Sequence, residues 1–188
     1  MKNISIDIAM KITIKRANIT HANAISFIGR RSFHDAFAHL FYNKDELQEY
    51  LDYAYSVDKI AGSIRKSNNV FFLAFANERP VGFVKLKKHS LNPQIDSFAQ
   101  MELQKIYVLK EYHGTGAGQS LMDAALEFAQ SEVRPEYIWL DTHITNDRAV
   151  RFYEKNGFQV CGRHYFTIGT QMFEYHLMNQ MVAIEVTA

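Results

Sequence analysis

The stretch that decides the fold is Ile106-Tyr107-Val108-Leu109-Lys110-Glu111-Tyr112-His113-Gly114-Thr115-Gly116-Ala117-Gly118-Gln119-Ser120-Leu121-Met122. An apolar strand-like run ends near Leu109. Leu121, Met122, Ala125, Phe128 and Ala129 then form one apolar stripe of a helix. Between them, glycines alternate at 114, 116 and 118. Glycine accepts positive φ and lets the backbone come close to a ligand. Exposed N–H groups at a helix start, with the positive end of the helix dipole, make an anion site. Phosphate or pyrophosphate is the natural guest. A glycine turn that only packs a helix on a strand is the competing reading.

Two nucleotide motifs fit poorly. A P-loop ends in a lysine followed by Ser or Thr, whereas Gly118 is followed by Gln119-Ser120. A dinucleotide fingerprint places its glycines directly after the strand. Here they follow non-strand residues, and 188 residues are few for two mononucleotide-binding halves.

On either side of the loop, the pattern alternates between strands and helices. Lys11 to Lys15 alternates as a strand, and a helical stretch covers about residues 20–40. Asn43 reads as the N-cap of a second helix, and a third runs from about Ser56 to Lys66. Val70 to Ala76 is a buried strand, Asn77-Glu78-Arg79-Pro80 a turn, and Val81 to Lys88 the return strand of a hairpin. A polar loop at 89–98 leads to a strand from Met101 to Leu109. Beyond the glycine loop and its helix come a strand at 138–142, a helix from Asn146 to Asn156-Gly157, and strands near 158–167 and 171–179. This order predicts a mixed α/β domain with both antiparallel and parallel pairs. We expect residues 1–9 to be an extension, 10–180 one domain, and 181–188 a tail.

Composition bounds the function. Apolar residues make up 47% and aromatics 13%, enough for a packed core. Lys and Arg number 21 against 20 Asp and Glu, so nucleic acid or a membrane surface is not an expected partner. The single Cys161 excludes an internal disulfide and is expected to be a buried small residue. The eight histidines lack zinc-site spacing, so no metal is expected. No apolar run reaches the ~18–20 residues of a membrane span. The first ten residues lack a signal-peptide apolar segment. A cytoplasmic protein is expected.

The strand Glu102 to Val108, followed by His113-Gly114-Thr115-Gly116-Ala117-Gly118, resembles the acetyl-CoA signature of the GCN5-related N-acetyltransferases, the GNAT superfamily. A second signature is similar too: Ile138-Trp139-Leu140, Asn146-Asp147-Arg148-Ala149 and Phe152-Tyr153-Glu154-Lys155-Asn156-Gly157-Phe158. The resemblance spans about residues 11–178. Within the superfamily, residues 26–88 and Gly162 to Phe166 look most like PaiA-like bacterial polyamine N-acetyltransferases. One departure is His113, where the family has Gln or Arg; a neutral imidazole offers one donor and no permanent charge.

The resemblance implies a mostly antiparallel sheet of about six or seven strands with a central splayed parallel pair, flanked by helices. It implies acetyl transfer from acetyl-CoA to a primary amine. Its cosubstrate would be held by Ile106, Tyr107 and Val108 through main-chain groups, by the loop residues His113, Gly114, Thr115, Gly116, Ala117, Gly118 and Gln119, and by Asn146 and Tyr153. The Val108 N–H would face the thioester oxygen, as an oxyanion donor does. Glu102 is the expected base; a carboxyl titrating near ~4.3 needs a water relay or a raised pKa to serve an ammonium near ~10.4. Tyr153 is the expected acid for the leaving thiolate. The lone cysteine favours direct transfer over a cysteine-bound acyl group.

The acceptor is less determined. Asp35 and Glu102 are the expected substrate carboxylates, suited to a polyamine such as spermidine or spermine. Asp45, Glu46, Glu49 and Asp52 read more simply as a solvated helix face. A protein or other small-molecule amine, a non-catalytic acetyl-CoA sensor and a nucleotide-binding module are the alternatives. The aromatic C-terminal strands (Tyr165, Phe166, Phe173, Tyr175) could pair in a homodimer or be internal core.

Overall fold

The structure, a computed structural model, describes residues 10–182, so the extension at 1–9 and most of the tail fall outside it. A seven-stranded sheet runs in the order β1-β2-β3-β4-β5-β7-β6. The strands are β1 (Ile12–Arg16), β2 (Asn69–Ala76), β3 (Arg79–Lys88), β4 (Gln100–Val108), β5 (Tyr137–His143), β6 (Gln159–Ile168) and β7 (Gln171–Met181). All pairings are antiparallel except β4 with β5. Met181, read from sequence as the start of a tail, closes β7 opposite Tyr137.

The β2–β3 turn is tighter than expected. Asn77 and Glu78 alone form it, with φ of 46° and 70°. Two successive left-handed residues match the right-handed twist of a two-residue hairpin, so β3 begins at Arg79 rather than Val81. Pro80 has no N–H to give, and it lies opposite Phe75 where the register shifts.

Helices α1 (Ala22–Phe37), α2 (Lys44–Ala54) and α3 (Val57–Ile64) lie over one face. Asn43 caps α2 through the Asp45 N–H at 2.9 Å, and Ser56 caps α3. Ile25 and Ile28 of α1 pack with Ile60 of α3 on Phe71, Leu73 and Phe83. Gly29 permits the closest approach, because a β-carbon there would lie 2.5 Å from the Tyr55 ring. Tyr55 therefore sits flush on α1 and reaches Tyr107 of β4, hydroxyl to hydroxyl at 3.3 Å.

On the other face, α4 (Ala117–Phe128) buries Leu121, Met122, Ala125 and Phe128 against Val84, Leu86, Met101, Ile138 and Leu140. It continues as a wider π turn, Ala129–Val133. Helix α5 (Asp147–Lys155) adds Tyr153 to the same core. Among the described residues, no helix is long and apolar enough to cross a membrane.

The polar loop at 89–98 is tied down by Gln100, which is 2% exposed. The Gln100 amide donates to the carbonyls of Ser97 (2.6 Å), Ile95 (3.1 Å) and Asn92 (3.3 Å), and its oxygen accepts from the Asn92 N–H (2.7 Å). A buried amide bonded at both its nitrogen and its oxygen is stabilising rather than costly.

Candidate active site

Strands β4 and β5 pair only where Gln100, Met101 and Glu102 meet Tyr137, Ile138 and Trp139. Past that vertex they separate, and a cavity of about 1010 Å³ opens beside them. The Leu109 N–H donates to Val81 O at 2.9 Å, while Val108 lies opposite Gly82. This makes Val108–Gly82 a pair without mutual hydrogen bonds, so the N–H and C=O of Val108 point away from β3, into the gap. By alternation the main chain of Ile106 does the same. Tyr107 does not: its main chain faces Phe83, and only its side chain lines the cavity. That corrects the expectation of three successive main-chain contacts.

After β4, one short helical turn, Lys110–Tyr112, leads into the glycine loop. Gly114 and Gly116 have φ of +80° and +88°, and a β-carbon on either would meet nothing within 4 Å. The left-handed backbone therefore calls for glycine, and the space beyond is open to a ligand. The Ser120 N–H donates to Gly116 O, the first bond of α4. The N–H groups of Ala117, Gly118 and Gln119 precede any intrahelical acceptor. Such a cradle fits a phosphate-bearing ligand. His113, Gly114, Gly116, Gly118 and Gln119 line the cavity. Thr115 and Ala117 do not: the Thr115 hydroxyl donates to Tyr112 O at 2.8 Å, and Ala117 is packed into the core.

His113 is held at both ring nitrogens. Arg148 Nη1 lies 2.6 Å from its Nδ1, and its Nε2 lies 2.9 Å from Val108 O. A guanidinium only donates, so Nδ1 accepts and Nε2–H donates to the carbonyl. Burial, and then the charge of Arg148, lower the imidazole pKa and keep the ring neutral. The permanent charge that His113 lacks thus enters beside it from α5, on Arg148. Their separation in the chain hides this partnership from a sequence reading.

Asn146 caps α5 by accepting from the Ala149 N–H (3.2 Å), and it lines the cavity. So does Tyr153, which packs edge-on against Phe152 and Phe158. Burial alone pushes its phenol well above the usual range, so it stays protonated.

Glu102 also lines the cavity, its side chain 13% exposed. Its Oε2 accepts from the Ser90 hydroxyl (2.8 Å) and lies 3.7 Å from Lys87 Nζ. Asp35 is at the cavity wall too, half-exposed, with Arg31 and His34 about it at 3.9 and 4.0 Å. The acidic run of α2 turns elsewhere. Glu46 binds Thr170, and Asp52 binds Arg30 (2.6 Å) and Gln48.

Several cavity residues carry no motif signal. Asp141 faces His164 at 2.7 Å, with its other oxygen buried and unpartnered. Burial raises its carboxyl pKa, against the lowering effect of His164. Lys85 and Lys105 face each other across β3 and β4. Strand alternation could have found the pair only with the bulge at Gln104 known, because that extra residue sets the register. Cys161 corrects an expectation. It is exposed rather than buried, because the β6–β7 register shifts there and leaves it as the bulge residue of an edge strand.

The lysines give a pH prediction. Burial lowers Lys85 and Lys105 to about 8, from an ordinary ~10.4. Between about pH 8 and 10 the unfolded chain holds more protons at these sites, so stability rises with pH. Cys161, an exposed residue whose thiol is partly covered and thereby raised, opposes this as one group against two. Above about pH 10 the sign reverses. Burial keeps the phenols of Tyr55, Tyr107 and Tyr153 protonated in the folded state, while the unfolded chain releases their protons. Urea midpoints should climb from pH 8 to 9.5 and fall by pH 11. A monotonic decline from pH 8 would contradict desolvated lysines.

The sheet is wedged open between two parallel strands, with an anion cradle at the mouth of the wedge. A sequence profile of the acetyltransferase (GNAT) family matches residues 31–158. The chain belongs to that family.

It is 42% identical over 69 residues to an uncharacterised N-acetyltransferase of Mycobacterium bovis, covering 37% of this chain and 44% of that protein. The match thus spans less than half the length of that relative. It is 25% identical over 143 residues to an uncharacterised N-acetyltransferase of Lactobacillus delbrueckii subsp. lactis, covering 76% of this chain and 81% of that protein. Its fold is similar to that of the PaiA N-acetyltransferase of Thermoplasma acidophilum in complex with coenzyme A, with a TM-score of 0.72 and 24% identity over 92% of this chain and 99% of that one.

Proposed function

We propose that the protein transfers the acetyl group of acetyl-CoA directly to a primary amine. The observation that carries this reading is the single cavity joining the glycine-loop cradle to the β4–β5 gap, with a protonated Tyr153 on its wall. Acetyl-CoA supplies an activated thioester. The loop N–H groups and Arg148 hold its phosphates, and the gap-facing main chain of Ile106 and Val108 pairs with its extended arm, as an added strand would. The Val108 N–H donates to the thioester oxygen as charge develops there. Glu102, oriented by Ser90, takes a proton from the acceptor ammonium, through water where it does not reach directly. The neutral amine attacks the carbonyl carbon, the C–S bond breaks, and Tyr153 donates its proton to the departing sulfur. The proton that nitrogen sheds on forming the amide restores the Tyr153 phenol, and the one held by Glu102 passes to the solvent.

Polyamine is the finer reading of the acceptor. The sequence resemblance supports it, as do Asp35 and Glu102 at the cavity wall. A protein amine is the alternative. We place the protein in the cytoplasm, where its cosubstrate is available. Pairing of two copies through edge strand β6 is supported by the exposed Tyr165 and Phe166.

The test is a thermal-shift comparison of acetyl-CoA, NAD and ATP, followed by thiol release with an amine panel. Acetyl-CoA should stabilise the protein most, and CoA thiol should appear only with an amine present. Saturable acetyl-CoA binding without thiol release from any amine would favour the sensor reading. Preferential stabilisation by NAD or ATP would reject both.

A further inference from the structure

The half of the cavity roofed by α3 is rich in cations. Lys85 and Lys105 are directly opposite residues on antiparallel strands, in a register that places their side chains on one face. Like charges placed directly opposite one another repel. Among the described residues, neither ammonium forms an ion pair or a hydrogen bond to an acidic side chain. Each instead rests over a ring, Lys85 over Phe71 at 5.5 Å and Lys105 over Tyr55 at 5.4 Å. The neighbouring carboxylate, Glu102, attracts both at longer range, while its direct contacts are with Ser90 and Lys87. Lys59 of α3 adds a further positive charge to the same part of the cavity. Burial weakens both ammonium groups, and the longer-range attraction of Glu102 offsets this only in part.

We propose that the acceptor amine carries a carboxylate, which Lys85 and Lys105 bind together in the part of the cavity they share with Lys59 and Phe71. This rests on the amine-transfer reading and gives the acceptor its class, a zwitterionic aminocarboxylate. Two ammonium groups on adjacent strands present donors to both carboxylate oxygens, while the amine end remains free to reach the gap. A polyamine placed there would add positive charge to positive charge, so this inference favours an aminocarboxylate over spermidine.

The experiment measures thiol release from acetyl-CoA by the full chain. Its acceptors are amino acids and ω-aminocarboxylates of increasing length, each beside its own amide, together with spermidine. The best aminocarboxylate should exceed its amide in kcat/KM by about tenfold or more, as expected for loss of a charge-assisted contact. Lys105→Met and Lys85→Met should each bring that ratio close to one, and the second variant serves if the first does not fold. Equal rates for acid and amide, a ratio unmoved in a folded variant, or a clear preference for spermidine would overturn the inference while leaving amine transfer standing. No thiol release from any acceptor, with acetyl-CoA still raising Tm, would remove the amine-transfer reading and this inference with it.

Discussion

Replacing Tyr153 with phenylalanine should lower kcat by about 10²- to 10⁴-fold, the usual contribution of a positioned general acid. Affinity for acetyl-CoA should hardly change. The ring stays in place, because its edge-on packing against Phe152 and Phe158 needs no hydroxyl. Among the described residues the Tyr153 hydroxyl forms no hydrogen bond whose loss would disturb the fold. The lost atom is therefore the proton donor and little else. Steady-state rates paired with calorimetric binding of acetyl-CoA make the check. Undiminished turnover in Tyr153→Phe removes this residue from the mechanism, and lost binding would make it a positioning group instead.

A second large effect is expected at the cradle. Gly116→Val puts a β-branched residue at φ of +88°, a conformation that costs such residues on the order of 1–3 kcal/mol. A β-carbon there meets nothing within 4 Å, so the chain can still fold. The backbone can relieve the strain only by leaving the left-handed region. That turns the N–H groups of Ala117 and Gly118 away from a common point, and the new methyls stand in the space where a phosphate would lie. Affinity for acetyl-CoA should fall by roughly 100-fold or more, counting about 1–3 kcal/mol for each charge-assisted hydrogen bond lost. Circular dichroism should show an unchanged fold. A folded variant that binds acetyl-CoA as tightly as the parent would show that the loop N–H groups do not carry the affinity.

Local signals made much of this molecule readable. The glycine loop, the Asn43 and Asn146 caps and the hairpin after Phe75 all declare themselves through residue types with one dominant conformational use. What depends on register stays hidden. Tyr107 was expected to offer main-chain groups, but its parity relative to Val81–Leu109 turns them toward β3. Cys161 reads as a small core residue until a bulge moves it outward. The lysine pair appears only when β3 and β4 are aligned across the bulge at Gln104. Arg148 meets His113 only because α5 starts beside the loop after α4 and β5 have intervened. In each case the deciding fact is a long-range alignment, which composition and spacing within one segment do not encode.

The loop at 89–98 acts as the hinge pin of the wedge. Gln100 clamps it where the short β4–β5 pairing begins, Ser90 O accepts from the Trp139 indole (2.8 Å), and the Ser90 hydroxyl steers Glu102. One surface segment therefore sets both the opening angle of the cleft and the aim of its carboxylate. A relative could retune the two together by exchanging this segment alone, with no change to a residue that touches either substrate.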